Sequence, residues 1–365
     1  MPTRPYIHYT TIELNAVAKD HWDNANVLAS LSQELACRKR PKAQRLLSSI
    51  QNRIEQLQLS SQQRCNIEQC EIALPPKWFK GAQLDRALVQ VGSPYSDSCK
   101  RVTFHFPAGA NMMLEAGIRI LSMANYLCAQ GKEVFFKFDD PNVFSYLNRM
   151  EFFLHLDPRI LVLPNRPDFT FKGRSDSLVE IGEIVPGKKI GTLPGKLTTT
   201  FCNKAGVGND STLGHASYTV FAEMIGNVQE HSETELSGYA ALQFYEPRLS
   251  SPFIQVVVSD SGRGVVNTIR PVLHRWYPIY ENLMDSEIIE KMFEQGLSRH
   301  GPHEGHGLGF RRSWQQAMKT KSRLVVRQGT CSVTLKHTGS KATPNIHNQL
   351  APIHGTHISF EFYLD

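Results

Sequence analysis

The sequence predicts a multidomain α+β protein because the pattern of its residues changes twice along the chain. Residues 1–95 are polar with apolar positions at helical spacing, residues 96–168 alternate between strand and helix patterns, and residues 169–365 combine strands, helices and glycine-rich turns. A chain of 365 residues is long enough for two or three domains. We therefore predict a helical N-terminal segment, a small central α/β domain and a larger C-terminal domain.

Composition narrows the class of protein. Hydrophobic residues make up 41% and charged residues 20% of the chain, which is ordinary for a globular protein. No apolar run is long enough to span a membrane and the N-terminus has no signal-peptide core, so we expect a cytoplasmic protein without membrane contact. The seven cysteines are odd in number and scattered, which does not indicate a disulfide framework. A net charge of +6 favours anionic ligands without establishing nucleic-acid binding.

The N-terminal segment contains two helical patterns, at Asn24–Ala36 and Ala43–Leu57. The basic stretch 38–42 lies between them. It could contact a phosphate backbone, but no aromatic residues interleave with it, and a solvated junction between helices is the favoured interpretation.

The central region alternates between short strands and helices, which predicts a small sheet with right-handed crossovers. The predicted elements are a strand at Arg101–Phe106, a helical stripe from Leu114 to Leu127 that ends at Gly131, a strand at Lys132–Phe138, a helix at Val143–Leu154 and a short apolar run at Ile160–Leu163. Residues 165–212 are interpreted as a connection that includes an opening strand at Ser177–Ile184.

This central pattern, together with the YLNRMEFF helix, resembles STAS-like domains, which bacteria use in anti-sigma and stress-signalling switches. In STAS antagonists a phosphorylated Ser or Thr lies near the start of the first long helix. Here residues 107–111 have no hydroxyl group at that turn. The resemblance therefore implies a docking or dimerisation module without a phosphoacceptor.

The first chemical motif lies in a helix that begins near Leu213. Glu223 and Asn227 are four residues apart, which places them about 40° apart around the helix and roughly 6 Å apart along it. An amide oxygen can ligate magnesium, and a carboxylate beside it can orient or deprotonate a water molecule. Taken alone, a Glu and an Asn on an exposed helix face are commonplace.

The second motif is a β-branched strand from Ile254 that leads into Asp260, Gly262 and Gly264. A buried carboxylate at a strand end can accept a hydrogen bond from an exocyclic amine, and glycines let the backbone approach a flat ring. The alternative is a polar turn that closes a strand.

Two more glycine-containing motifs follow. A run of alternating glycines precedes the predicted helix Arg311–Lys319, and glycines that open a helix present free N–H groups to an anion. Arg299 lies upstream and could meet phosphate oxygens or belong to a solvated loop. The last motif, at residues 355–356, leads into the alternating strand His357–Leu364.

In this order and spacing, the four motifs resemble the N, G1, G2 and G3 boxes of the GHKL superfamily of ATPases, over about 150 residues. The superfamily includes histidine kinases, anti-sigma-factor kinases, a heat-shock chaperone, gyrase, MutL and MORC-type proteins. The resemblance implies a Bergerat-type two-layer α/β sandwich that binds ATP and Mg²⁺. The segment 265–304 would be the ATP lid.

By this resemblance, Glu223 is the general base, Asn227 holds Mg²⁺, and Asp260 binds the adenine amine. The remaining nucleotide-binding residues are Gly262 and Gly264 at the ring, Arg299, Gly305, His306, Gly307, Leu308 and Gly309 at the phosphates, Thr356 near adenine, and His231 as a packing or hydrogen-bonding residue beside the N box.

Differences from the superfamily pattern indicate which functional hypothesis is favoured. Glu230 replaces the basic residue usual in histidine kinases, and no phosphoacceptor hairpin precedes the domain, which disfavours a two-component kinase. We predict a slow regulatory ATPase of bacterial signalling type that acts on a protein partner or a homodimer. The alternatives are a Ser/Thr protein kinase of anti-sigma type with a STAS-like partner, a DNA-associated ATPase that uses residues 38–45, and a nucleotide sensor without turnover.

Overall fold

The computed structural model of the chain describes residues 6–22, 24–65, 68–168, 175–189, 191–299, 301, 308–318, 320–337 and 342–364. The chain divides into two compact units, one of residues 1–68 with 96–99 and one of residues 69–95 with 100–365. Both helices and several sheets are present, which agrees with the predicted α+β class. Within these residues, no helix combines the length and apolar character that crossing a membrane requires.

The first unit is helical. Its helices are α1 (Thr11–Asp20), α2 (Ala25–Ala36) and α3 (Pro41–Cys65), and the last two confirm the predicted helical patterns. Thr10 caps α1: its hydroxyl accepts the Glu13 N–H at 3.3 Å, and the Glu13 carboxylate accepts the Thr10 N–H at 2.6 Å. Apolar positions from all three helices form one core, made of Leu14, Ala18, Leu28, Leu31, Leu35, Ala43, Leu47 and Ile50.

The second unit begins with parallel strands joined by helices. The strands are β1 (Gln69–Ala73), β2 (Trp78–Phe79), β3 (Arg101–Phe106), β4 (Asn111–Met112), β5 (Glu133–Phe138) and β6 (Leu161–Leu163). The helices are α4 (Gly81–Val91), α5 (Leu114–Ala129), α6 (Pro141–Arg149) and α7 (Phe152–His155). Among the described residues, β1, β3, β5 and β6 form a parallel sheet in that order, and β2 pairs with β4. The predicted strands at 101–106 and 132–138 are confirmed.

Two details of this region differ from the prediction. The single helix predicted at Val143–Leu154 is broken into α6 and α7, because Glu151 has a left-handed φ of +62° that an α-helix cannot contain. The strands β1 and β2 lie inside the segment predicted to be helical. In β1, exposed Gln69 and Glu71 alternate with buried Cys70 and Ile72, a pattern of period two in a short run.

The rest of the second unit is an antiparallel sheet with helices. Its strands are β7 (Leu178–Ile184), β8 (Gly238–Tyr245), β9 (Phe253–Ser259), β10 (Ser322–Gly329), β11 (Cys331–His337), β12 (Ala342–His347) and β13 (Ile353–Tyr363). Among the described residues, the strand order is β12-β11-β10-β13-β9-β8-β7. The last strand, β13, therefore lies between β10 and β9, which brings residue 356 beside the end of β9.

Several helices each pack an apolar face against this sheet. They are α8 (Leu193–Ala205), α9 (Thr212–His231), α10 (Val265–Ile269), α11 (Leu273–Trp276), α12 (Asp285–Gln295) and α13 (Leu308–Ala317), with 3₁₀ turns at Arg270–Val272 and Pro278–Tyr280. Val220, Phe221 and Met224 of α9 join Val256 and Val258 of β9 in the core. The helices predicted from residue 213 and at 311–319 are confirmed, with small shifts of their ends. Helix α8 occupies a segment that was interpreted as a connection.

Helix α5 lies between the two sheets. It contacts β5 of the parallel sheet and β8, β9 and β13 of the antiparallel sheet. All of its residues except Tyr126 and Ala129 are buried or nearly so, including Glu115, Arg119 and Ser122. Residues of β9 alternate between the apolar core on one face and contacts with α5 on the other, so the antiparallel sheet is covered on both faces.

Candidate functional site

Asp260 directly follows β9 and is a buried carboxylate. Its side chain is 6% exposed and accepts the Gly262 N–H at 2.7 Å and the Thr356 N–H at 3.3 Å. Within the described residues, no cation is paired with it. Burial raises the pKa of Asp260 from 3.8 to about 6, while the two backbone N–H groups act to lower it. At neutral pH the Asp260 carboxylate is therefore ionised and has little contact with solvent. Such a group is suited to accept a hydrogen bond from a ligand N–H.

Glycines allow close backbone contact around Asp260. A Cβ on Gly262 would lie 2.0 Å from the Ser232 carbonyl oxygen at the end of α9. A Cβ on Gly355, which has a φ of +81°, would lie 1.9 Å from the Asp260 carbonyl oxygen. No other residue fits either position without moving the backbone. The turn at residues 260–264 is thereby packed against both the end of α9 and β13.

The predicted residue Thr356 lies beside this turn. Its N–H reaches Asp260, and its hydroxyl accepts the Val265 N–H at 3.1 Å. Gln328 of β10 joins them: its side-chain oxygen accepts the Val266 N–H at 3.3 Å and the Thr356 hydroxyl at 3.4 Å. The Gln328 side chain also fills the space next to Gly264. Gln328 was not predicted as a site residue, because it lies in a strand with no motif around it.

Helix α9 carries Glu223 and Asn227 on the flank of its buried face, and both are half-buried. Within the described residues, neither side chain makes a hydrogen bond or an ion pair. The Arg263 N–H donates a hydrogen bond to the Ser232 carbonyl at 2.9 Å. This bond connects the end of α9 to the turn at residues 260–264. A Cβ built on Gly238 would lie close to both the Val228 side chain and the Cβ of Asp260. The C-terminal end of α9 and the turn at Asp260 are thus neighbours.

The hydroxyl of Ser232 is a further polar group at this junction. Ser232 is 5% exposed, and its Oγ has no hydrogen-bond partner among the described residues. A buried hydroxyl without a partner costs free energy, so such atoms in folded proteins call for a ligand or water. Its position between α9 and Gly262 adds a polar atom to the candidate site.

The predicted phosphate-binding residues are only partly described. Gly305, His306 and Gly307 lie outside the described residues. Leu308 and Gly309 form the first turn of α13, which packs against α9. His231 is the last residue of α9. Arg299 does lie near the site: its guanidinium donates to Glu233 at 3.0 Å, and Glu233 directly follows the cap of α9.

A buried polar layer supports Asp260 from the opposite face of the sheet. Ser122 of α5 donates to the Ser259 hydroxyl at 3.0 Å, and Ser259 bonds to His357 Nδ1. His357 Nε2 lies 2.9 Å from the His354 carbonyl, so Nε2 carries the proton and Nδ1 accepts from Ser259. Burial lowers the pKa of His357 well below its ordinary value, so the ring is neutral. Helix α5 is thereby linked to Ser259, which precedes Asp260, and to His357, which follows Thr356.

The raised pKa of Asp260 predicts a pH dependence of stability. The folded protein binds the Asp260 proton more tightly than the unfolded chain does. The free energy of unfolding is therefore expected to fall as pH rises between the unfolded pKa of 3.8 and the folded pKa of about 6. Between about pH 4.5 and about pH 6.5 the contribution is roughly 2 kcal/mol. Urea unfolding of the wild type and Asp260→Asn over this range measures it. The difference between the two proteins should change by this amount, and parallel pH curves would contradict the prediction.

Neither similarity to known proteins nor a cluster of metal-ligating side chains assigns a function to this site. No protein-family model, no curated protein and no solved structure matches the chain. Among the described residues, no group of three or more His, Cys, Asp or Glu side chains is arranged to hold a metal ion by itself. A metal at Asn227 would therefore need further ligands from a bound molecule, as Mg²⁺ commonly takes from phosphates.

Proposed function

We propose that residues 175–364 form a Bergerat-type nucleotide-binding domain and that the protein is a slow, regulatory Mg-ATP hydrolase. The observation that carries the proposal is the Asp260 carboxylate, buried at a strand end with backbone partners alone and a pKa of about 6. The order of α9, the turn after Asp260, the start of α13 and β13 is that of the four predicted motifs. The proposal rests on this agreement and on the sequence resemblance.

The base end of the nucleotide would lie against the turn at Asp260. The adenine amine donates to the carboxylate, and Thr356 borders the ring. The space beside Gly262 and Gly264 is filled by Ser232 and by the Gln328 side chain, so the predicted contact of these glycines with the ring stays a prediction. Guanine carries a carbonyl oxygen where adenine has its amine, and this oxygen would face the carboxylate repulsively. The site is therefore expected to select adenine over guanine.

The phosphate end would lie along α9. Asn227 and the phosphate oxygens would hold Mg²⁺, which would offset the phosphate charge. Glu223 lies one helical turn from Asn227 and makes no hydrogen bond to a described residue, so it is available to accept a proton from an attacking water. Backbone N–H groups at the start of α13 would contact the phosphates.

The variant Asp260→Asn tests the proposal. It is expected to weaken ATP binding by about 10- to 100-fold, because it removes a charged acceptor from the amine and offers an N–H in its place. Titration calorimetry with ATP and with GTP measures the effect, and the preference for ATP should shrink in the variant. Asp210→Asn, at an exposed position before α9, is the matched control. Equal ATP affinity in wild type and Asp260→Asn would refute the assigned role.

Two alternative functions remain open to direct test. With γ-labelled ATP, free phosphate as the labelled product supports the hydrolase, whereas a labelled partner protein would favour an anti-sigma-type kinase. The DNA-associated alternative relied on the basic stretch 38–45. Arg38 is bound to the Glu34 carboxylate at 2.8 Å and to carbonyl oxygens of Tyr6 and Tyr9, so this residue has a structural role in the helical unit. No described observation favours DNA over a protein partner.

A further inference from the structure

Two arginines converge on one carboxylate beside the candidate nucleotide site. Arg263 Nη1 lies 3.0 Å from Glu233 Oε2, and Arg299 Nη1 lies 3.0 Å from Glu233 Oε1. The two guanidinium groups therefore bind different oxygens of the same anion. This is the arrangement in which arginines bind carboxylates and phosphates alike.

The arginines lie on either side of the helices of the predicted lid. Arg263 lies between Gly262 and Gly264, directly before α10, while Arg299 follows α12. An anion between them links the residues that flank helices α10–α12 to the end of α9. The three side chains are partly exposed, with 47% of Arg263, 29% of Arg299 and 42% of Glu233 accessible, so a solute can reach this position.

Both the helix dipole and the backbone conformation disfavour the position of Glu233 between the two arginines. It follows the C-cap of α9, at the negative end of the helix dipole, where a carboxylate is disfavoured. Its φ of +50° is a left-handed conformation that non-glycine residues seldom adopt. A partly exposed ion pair contributes little stability. The carboxylate is therefore an occupant of the arginine pair that a more highly charged anion can displace at small cost.

We infer that Arg263 and Arg299 form a second phosphate contact for the nucleotide, in addition to the one proposed at Asn227 and the start of α13, and that Glu233 occupies it until a phosphate group takes its place. The exchange leaves the nucleotide anion between the two arginines that flank the helices of the lid. Glu233 thereby sets the affinity for the phosphate end without touching the base. The identity of the anion rests on the proposed nucleotide function, whereas the existence of the anion site does not.

Calorimetric titrations with ATP, adenosine and inorganic pyrophosphate test the exchange in the full-length protein. In Glu233→Gln, affinity for ATP and for pyrophosphate is expected to rise about 5- to 10-fold, because the competing charge is gone, while adenosine affinity stays the same. Arg299→Gln is expected to weaken ATP and pyrophosphate about 10-fold. The double variant Glu233→Gln/Arg299→Gln should lose the gain, which separates exchange from a general change in surface charge. Glu235→Gln, at an exposed position two residues away, is the control for charge alone.

The outcomes separate this inference from the proposed function. If wild type binds ATP and adenosine but Glu233→Gln leaves ATP and pyrophosphate affinities unchanged, the exchange is wrong and the nucleotide site stands. If neither ATP nor adenosine binds, the nucleotide proposal fails, and tighter pyrophosphate binding in Glu233→Gln still supports the anion site. Pyrophosphate binding that is absent or insensitive to residue 233 overturns the anion site in either case.

Discussion

Replacing Glu223 by Gln is expected to slow ATP hydrolysis by between about 10²- and 10⁴-fold while ATP still binds. The range is the usual contribution of a positioned general base. Glu223 lies half-buried on α9, one helical turn from Asn227, and makes no hydrogen bond to a described residue. An amide of the same size preserves packing on α9 but cannot accept the proton of the attacking water. The effect should therefore appear in turnover and not in affinity.

Phosphate release under saturating ATP, with the ATP dissociation constant measured in parallel, tests this assignment. Glu246→Gln removes the same charge from an exposed loop after β8 and should leave both quantities near those of the wild type. Unchanged turnover in Glu223→Gln would place the base elsewhere. Loss of ATP binding in this variant would instead make Glu223 a binding residue.

The elements that carry the candidate site were predictable from local patterns. Helix α9 has an N-cap, Ser211, whose hydroxyl accepts the Gly214 N–H at 3.0 Å, and a regular apolar stripe follows it. Strand β9 is a β-branched run that ends at a polar turn, and polar and apolar residues alternate in β13 from His357 to Phe362. Period, cap and turn chemistry are properties of neighbouring residues, so one sequence suffices to predict them.

Elements whose state depends on tertiary packing were less predictable. Glu115, Arg119 and Ser122 form a polar stripe along α5 that resembles a solvent-exposed face, yet all three are buried, with partners on α4 and on the antiparallel sheet. Their partners lie more than 30 residues away in the sequence, so no local pattern indicates them. Helix α8 was missed because its sequence LPGKLTTT contains Pro, Gly and β-branched Thr, whose low helix propensity is overridden by burial of Leu197 and Phe201.

The site shows the same division between local and distant information. Asp260, Gly262 and Thr356 belong to short motifs, and the structure brings them together. Glu233 and Gln328 contact the same region but have no motif, because their roles arise from pairing with residues 30 and 62 positions away. Arg299 pairs with Glu233, an interaction that only the folded arrangement reveals, and its predicted contact with phosphate stays a prediction.

The other large expected effect concerns a buried charge cluster between α4, α5 and β10. Asp85 accepts from Arg327 Nε at 2.9 Å through one oxygen and from Arg119 Nη1 at 3.1 Å through the other. All three residues are buried, and Arg327 is fully so. Burial lowers the pKa of Arg327, and the Asp85 carboxylate opposes that shift. Two buried cations therefore depend on one carboxylate.

Asp85→Asn is expected to reduce the free energy of unfolding by about 3–5 kcal/mol, because it leaves both guanidinium groups buried without a charged partner. Arg327→Met is expected to cost less, about 1–3 kcal/mol, because Asp85 and Arg119 then remain as a one-to-one pair although carbonyl contacts of Arg327 are lost. Urea unfolding followed by circular dichroism measures both, with Glu294→Gln in an exposed pair with Lys291 as the control that should stay within about 0.5 kcal/mol. If Arg327→Met were the more damaging of the two variants, hydrogen bonding and packing, and not charge balance, would hold α4 and α5 to the antiparallel sheet.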